Sequence, residues 1–132
     1  MNSILFDTSV IIDHLRSYRP STEFLETVFN SGTQALISTI SVMELYAGKS
    51  MQTPAVRENT EKVLQIFSNL PVTPEIARQA GILLREYRQQ GLTPSDALIA
   101  STALLHNASL VTGNIKHFKM IKGLLVFDIP VE

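Results

Sequence analysis

The sequence contains no cysteine. This excludes a disulfide framework, thiolate zinc and iron–sulfur sites and a cysteine nucleophile, and it suits a reducing compartment. An excess of either charge is also missing: eleven Lys and Arg stand against twelve Asp and Glu, a formal net charge of -1. The overall field therefore does not attract nucleic acid, and any such contact has to come from a local patch. There is no uninterrupted apolar run of about 18 residues, the length a membrane-spanning helix requires. Met1 to Phe6 lack the basic start and long apolar core of a secretion signal, and Asp7 cuts the run short. A cytoplasmic protein with no membrane contact is expected. What is present is a chain of 132 residues, 45% hydrophobic and only 17% charged, with apolar clusters along its whole length and no repeat or linker. That is enough to bury a core as one domain over residues 1–132, and it excludes intrinsic disorder.

Short apolar runs alternate with helical patterns. Ile4-Leu5-Phe6, Ala35-Leu36-Ile37, Ser109-Leu110-Val111-Thr112 and Leu124-Leu125-Val126-Phe127 read as strands, with a brief extended piece at Pro71-Val72-Thr73. Between them, helices are expected from Val10, after Pro20 to a stop at Gly32, from Val42 to near Gly48, within Pro54–Leu70, over Pro74–Gln90 with Gly91 as stop, and from Pro94 to Leu105. Strands apolar on both faces and separated by helices indicate parallel pairing with helices on both sides. The expected class is α/β, a three-layer α/β/α arrangement around a mostly parallel sheet of four to five short strands. Sites in such sheets form beyond the carboxyl ends of the strands.

Three acids fall at such places. Asp7 closes the first strand, Glu44 shares a helical face with Ile40 and Ala47, and Asp96 sits in the first turn of a strongly apolar helix. Each has an ordinary alternative. Asp7 can cap the following helix, Glu44 can be a boundary glutamate, and Asp96 can complement the helix dipole with Ser95 as cap. Their convergence changes the weighing, because three carboxylates about 5 Å apart would repel by roughly 3 kcal/mol per pair at an effective dielectric near 20. Either the group does not assemble, or a divalent cation offsets the repulsion, and oxygen-only ligands point to Mg²⁺ or Mn²⁺ and phosphoryl chemistry.

The segments Leu5-Phe6-Asp7-Thr8-Ser9-Val10-Ile11-Ile12, Ser41-Val42-Met43-Glu44-Leu45-Tyr46-Ala47-Gly48, Pro94-Ser95-Asp96-Ala97-Leu98-Ile99-Ala100 and Leu110-Val111-Thr112-Gly113-Asn114-Ile115-Lys116-His117-Phe118 occur in this order over nearly the whole chain. Together they resemble the PIN-domain ribonucleases, and within them the VapC-type toxins of toxin–antitoxin modules. The resemblance implies a PIN-like fold and a metal-dependent endoribonuclease holding one or two ions on Asp7, Glu44 and Asp96, with Thr8, Ser9, Ser95 and Thr112 in support. Many relatives carry a further acid in the last segment, whereas this chain has Asn114, which is placed among the catalytic candidates as a neutral ligand or an orienter of water.

In the implied reaction the cation polarises a scissile RNA phosphate while Glu44 orients or deprotonates the attacking water, leaving a 5′-phosphate and a 3′-hydroxyl. Lys116, His117, Lys119 and Lys122 are candidate RNA contacts, and Arg78, Arg85 and Arg88 follow along one helix, although charge runs are commonly solvated faces. A cognate VapB-type antitoxin and a homodimer are implied as partners, with Phe24, Leu25, Phe29, Tyr46 and Met51 as a candidate groove or as plain core. Two rivals are kept. A haloacid-dehalogenase-type phosphatase would carry a second Asp where Ser9 stands, and a catalytically silent PIN-like binding protein would explain the missing acid.

Overall fold

The computed structural model describes residues 3–129. Five strands form one sheet in the order β3-β2-β1-β4-β5, every neighbouring pair parallel. They are β1 (Ser3–Phe6), β2 (Gln34–Ser38), β3 (Ser68–Leu70), β4 (Ser109–Thr112) and β5 (Val126–Asp128). The helices are α1 (Thr8–Leu15), α2 (Arg19–Asn30), α3 (Thr39–Tyr46), α4 (Pro54–Leu64), α5 (Pro74–Tyr87) and α6 (Pro94–Leu105).

Strand alternation explains the three layers. Leu5, Leu36 and Leu110 face the cluster that holds Ala80 and Leu83 of α5 and Ala97, Ala100 and Ala103 of α6. Their neighbours Phe6, Ala35, Ile37 and Val111 point the other way, toward Val10, Ile11, Leu25, Val28 and Val63 of α1, α2 and α4. A strand buried on both faces has no polar side to display, which is why these runs read as continuous rather than alternating. Phe6 is the hinge of the second cluster, its ring edge-on to Phe67 at 5.1 Å and tilted against Phe24 at 5.8 Å.

The sequence expectations hold for four strands and for every helix, with local differences. The extended piece expected at Pro71–Thr73 lies three residues earlier, as β3, and α4 ends at Leu64 rather than running toward Leu70. Ser68 and Asn69 are exposed on a sheet edge, so no apolar run marks this strand, and only pairing with β2 reveals it. Likewise β5 begins at Val126, after Leu124 and Leu125. Gly32 and Gly91 stop their segments with φ of 77° and 99°, the left-handed region that glycine enters without penalty.

The strand order reverses at β1. Moving through β1, β2 and β3 the chain travels to one edge, then returns to place β4 on the other side of β1. The carboxyl ends of β1 and β4 therefore flank the switch point, where Asp7 and the 112–114 loop stand.

Candidate active site

Asp7 occupies the N-cap position of α1, yet its side chain makes no cap hydrogen bond. The capping alternative is thereby excluded for this carboxylate. Its backbone N–H is tied to the Val111 carbonyl at 2.9 Å, which locks the end of β1 against β4. The side chain is 6% exposed and accepts two hydrogen bonds at the same oxygen, Oδ2, from Ser9 Oγ at 2.8 Å and Thr112 Oγ1 at 2.7 Å. Both hydroxyls also take an N–H from the loop that follows β4. Gly113 N donates to Ser9 Oγ at 3.0 Å and Asn114 N to Thr112 Oγ1 at 2.9 Å. The carboxylate is thus fixed through one oxygen by a closed relay, and these donors leave Oδ1 for another partner. Burial pushes the Asp7 carboxyl above its ordinary range, the two hydroxyl donors oppose this, and the charges of Asp96 and Glu44 add to the rise.

Glu44 is half-buried on α3. Thr8 Oγ1 donates to its Oε1 at 2.6 Å and meets Ser41 Oγ at 2.8 Å. Thr8 therefore supports Glu44 and not Asp7, while Ser9 supports Asp7. Ser41 was not among the expected residues, and its signal was its place one turn before Glu44 on the same helix face. Asp96 is held differently. The cap of α6 is Thr93, whose Oγ1 accepts the Asp96 N–H at 3.2 Å, so the expected cap at Ser95 is corrected: Ser95 lies inside the first turn, where its hydroxyl is past the N-cap position. The Asp96 carboxylate, 17% exposed, lies 3.5 Å from His117 Nδ1. His117 was expected as an RNA contact, and the structure places it against the acid.

Thr8, next to Asp7, holds Glu44, and His117, after the neighbouring strand β4, lies against Asp96, so the three acids share one end of the sheet. Among the described residues, however, no three His, Cys, Asp or Glu side chains stand close enough together to hold one ion in common. An Mg²⁺ ion does not require that, since it typically keeps several waters and takes one or two carboxylates. The donor set, oxygen-only and with Asp7 Oδ1 left open by the relay, fits such an ion. Asn114 is exposed beside the relay, and its backbone N–H is what the relay uses. Asp13 is a further acid at this end, its Oδ2 standing 3.6 Å from where a Cβ on Gly113 would be.

Beside Glu44 the surface opens into a cavity of about 480 Å³ lined by Ile12, Leu15, Leu45, Met51 and Val56, with Arg16 at its wall. Of the residues expected to form a groove, Met51 lines it, whereas Leu25 is core and Phe24 packs on Phe6. Phe29 and Tyr46 are exposed. Among the described residues no helix is long and apolar enough to cross a membrane.

The model of the family described as the PIN domain matches residues 4–123. Over 126 residues the chain is 36% identical to Ribonuclease VapC19 of Mycobacterium tuberculosis, covering 91% of this chain and 95% of that one. It is 38% identical over 125 residues to Ribonuclease VapC10 of the same organism, covering 92% and 90%. Among solved structures it is similar to VapBC2 from Rickettsia felis bound to a promoter DNA fragment, with a TM-score of 0.84, 27% identity, and 95% and 97% coverage. A toxin–antitoxin complex from Klebsiella pneumoniae aligns with a TM-score of 0.79 at 31% identity, covering 96% of this chain and all of that one.

Proposed function

The chain belongs to the PIN-domain family, among the VapC proteins, and on that footing we propose that it is a metal-dependent endoribonuclease, the toxin of a VapBC-type pair. The observation that carries this reading is Asp7. A carboxylate that sits at a helix cap without capping, is 6% exposed, is gripped through one oxygen by two hydroxyls and shares its end of the sheet with two more acids has no structural use for its charge.

In this reading Asp7 and Asp96 hold Mg²⁺ or Mn²⁺, as one ion or two. When bound, the ion supplies Lewis acidity at the scissile phosphate. The residues of the chain do the rest. Ser9 and Thr112 orient Asp7, Thr93 fixes the backbone under Asp96, and Thr8 holds one oxygen of Glu44 so that the other can orient the attacking water or take its proton. Asn114 contributes its backbone N–H, which holds Thr112 in place.

The partner proposed is a VapB-type antitoxin. Its support is that the solved relatives include VapBC complexes, and that the apolar cavity opens next to Glu44. A homodimer belongs to the same reading and is checked by the mass of the protein in solution.

The test is cleavage of an end-labelled cellular RNA pool with Mg²⁺, with Mn²⁺ and with chelator, run beside Asp7→Asn. Discrete products that need the metal and fall by roughly 100-fold in the variant, about 3 kcal/mol of lost transition-state stabilisation, are expected. No cleavage by folded, antitoxin-free protein in either metal would replace this reading with that of a silent binding protein.

A further inference from the structure

We propose that Lys116, Lys119 and Lys122, carried on a backbone anchored to the core, form a phosphate rail that leads a single RNA strand to the Asp96 side of the site. This rests on the ribonuclease reading and adds to it where the strand runs. The segment after β4 is a series of three-residue turns: Phe118 N donates to the Ile115 carbonyl at 3.0 Å, Ile121 N to Phe118 at 3.0 Å, and Leu124 N to Ile121 at 3.4 Å. Only Ile115–His117 is a continuous 3₁₀ turn; separate turns follow it, and Lys119 N also donates to the Ile115 carbonyl, at 2.9 Å. The turns are anchored inward: Phe118 is 0% and Ile121 3% exposed, both in the core beneath α5 and α6, and Ile115 is half-buried. Each lysine is the residue after one of these anchors, and all three are exposed.

The two ends of the rail are fixed. At its start His117 lies 3.5 Å from Asp96, which joins the segment to the acids. At its far end Lys122 N donates to Tyr87 Oη at 3.3 Å, at the last residue of α5, and Arg88 follows it, exposed. From Asn114 to Phe127 the sequence has no acid, so no neighbour in this stretch neutralises the lysines. A solvated charge run needs neither periodic anchoring nor a fixed end. A backbone anchored on a buried spine is already ordered when phosphates bind, so only the lysine stems have freedom left to lose.

The test measures binding of a short, fluorescein-labelled, random-sequence single-stranded RNA by anisotropy in chelator, across a salt series. It compares wild type with Lys116→Gln/Lys119→Gln/Lys122→Gln and with Arg19→Gln/Lys49→Gln/Lys62→Gln, which removes the same charge from the opposite layer. The rail variant is expected to lose about tenfold or more in affinity at low salt and to flatten the log–log salt slope by about 2, near 0.7 per phosphate contact. The control is expected to stay within about threefold with a smaller change in slope. With metal, the rail variant should raise KM and keep kcat within about twofold. Equal losses in the two variants would show net charge alone at work and overturn the rail while leaving the ribonuclease reading intact. Wild type that binds no RNA in chelator even at low salt would also overturn the rail, while the ribonuclease reading is decided separately, by cleavage in Mg²⁺ or Mn²⁺.

Discussion

The two helical layers covering this sheet are built differently. On the α5–α6 side the core is dense: Ala97, Ile99, Ala100, Ser101, Thr102 and Ala103 of α6 are all buried, and small side chains let the helix approach closely. On the opposite side, α1, α3 and α4 leave a cavity of about 480 Å³ beside Glu44. The dense layer holds Asp96 and anchors the lysine segment through Phe118 and Ile121, so it is suited to positioning. The hollow layer carries apolar surface without a partner among the described residues, so it is suited to receiving one. Asp7 lies on β1, between the two.

The largest test of this contrast is a pair of core truncations. Leu110→Ala removes a fully buried side chain facing the dense layer and should cost about 2–5 kcal/mol in urea unfolding. Met51→Ala, whose side chain borders the cavity, should cost less by roughly 1 kcal/mol or more, because that side chain already lacks neighbours on one side. Equal losses would mean that the two layers are equally packed.

The second concerns Asp7, where the layers meet. Burial and two neighbouring acids raise its pKa, so the folded state binds this proton more tightly than the unfolded chain. Its contribution is therefore most favourable below the ordinary value of 3.8 and declines as pH rises through the interval up to the raised value. Asp7→Asn keeps an oxygen for Ser9 and Thr112 without the charge. It should unfold at a higher temperature than wild type at pH 7, and the gain should vanish in acid. Adding Mn²⁺ should raise the wild-type Tm and leave that of Asp7→Asn nearly unchanged.

The smallest effect separates the two helix caps of the dense layer. Thr93→Ala and Thr73→Ala each lose a hydroxyl that accepts a first-turn N–H, and each should cost about 1 kcal/mol. Only Thr93→Ala frees the backbone under Asp96, so only it should also slow RNA cleavage. A parallel loss in Thr73→Ala would show that the cap acts through stability alone.

Much of this was written locally. The apolar runs at Ile4–Phe6 and Ala35–Ile37 declare buried parallel strands because such strands have no solvated face, and Gly32 and Gly91 declare their stops because only glycine takes that φ cheaply. The residue types Asp7, Glu44 and Asp96 and the end of the sheet they occupy followed from the same reading. β3 did not, because Ser68 and Asn69 carry no apolar pattern and become a strand only when β2 offers its edge. The division of labour between neighbouring hydroxyls was equally hidden: Thr8 turns to Glu44, 36 residues away, and Thr112 reaches Asp7, 105 residues away. The chain alone therefore determined the layers, the helix stops and the acids, since burial period, φ preference and side-chain chemistry are properties of a residue and its near neighbours. Which oxygen each hydroxyl holds, that His117 leans on Asp96, and that one layer is hollow were decided by folding, because these depend on groups that only the sheet's crossovers bring together.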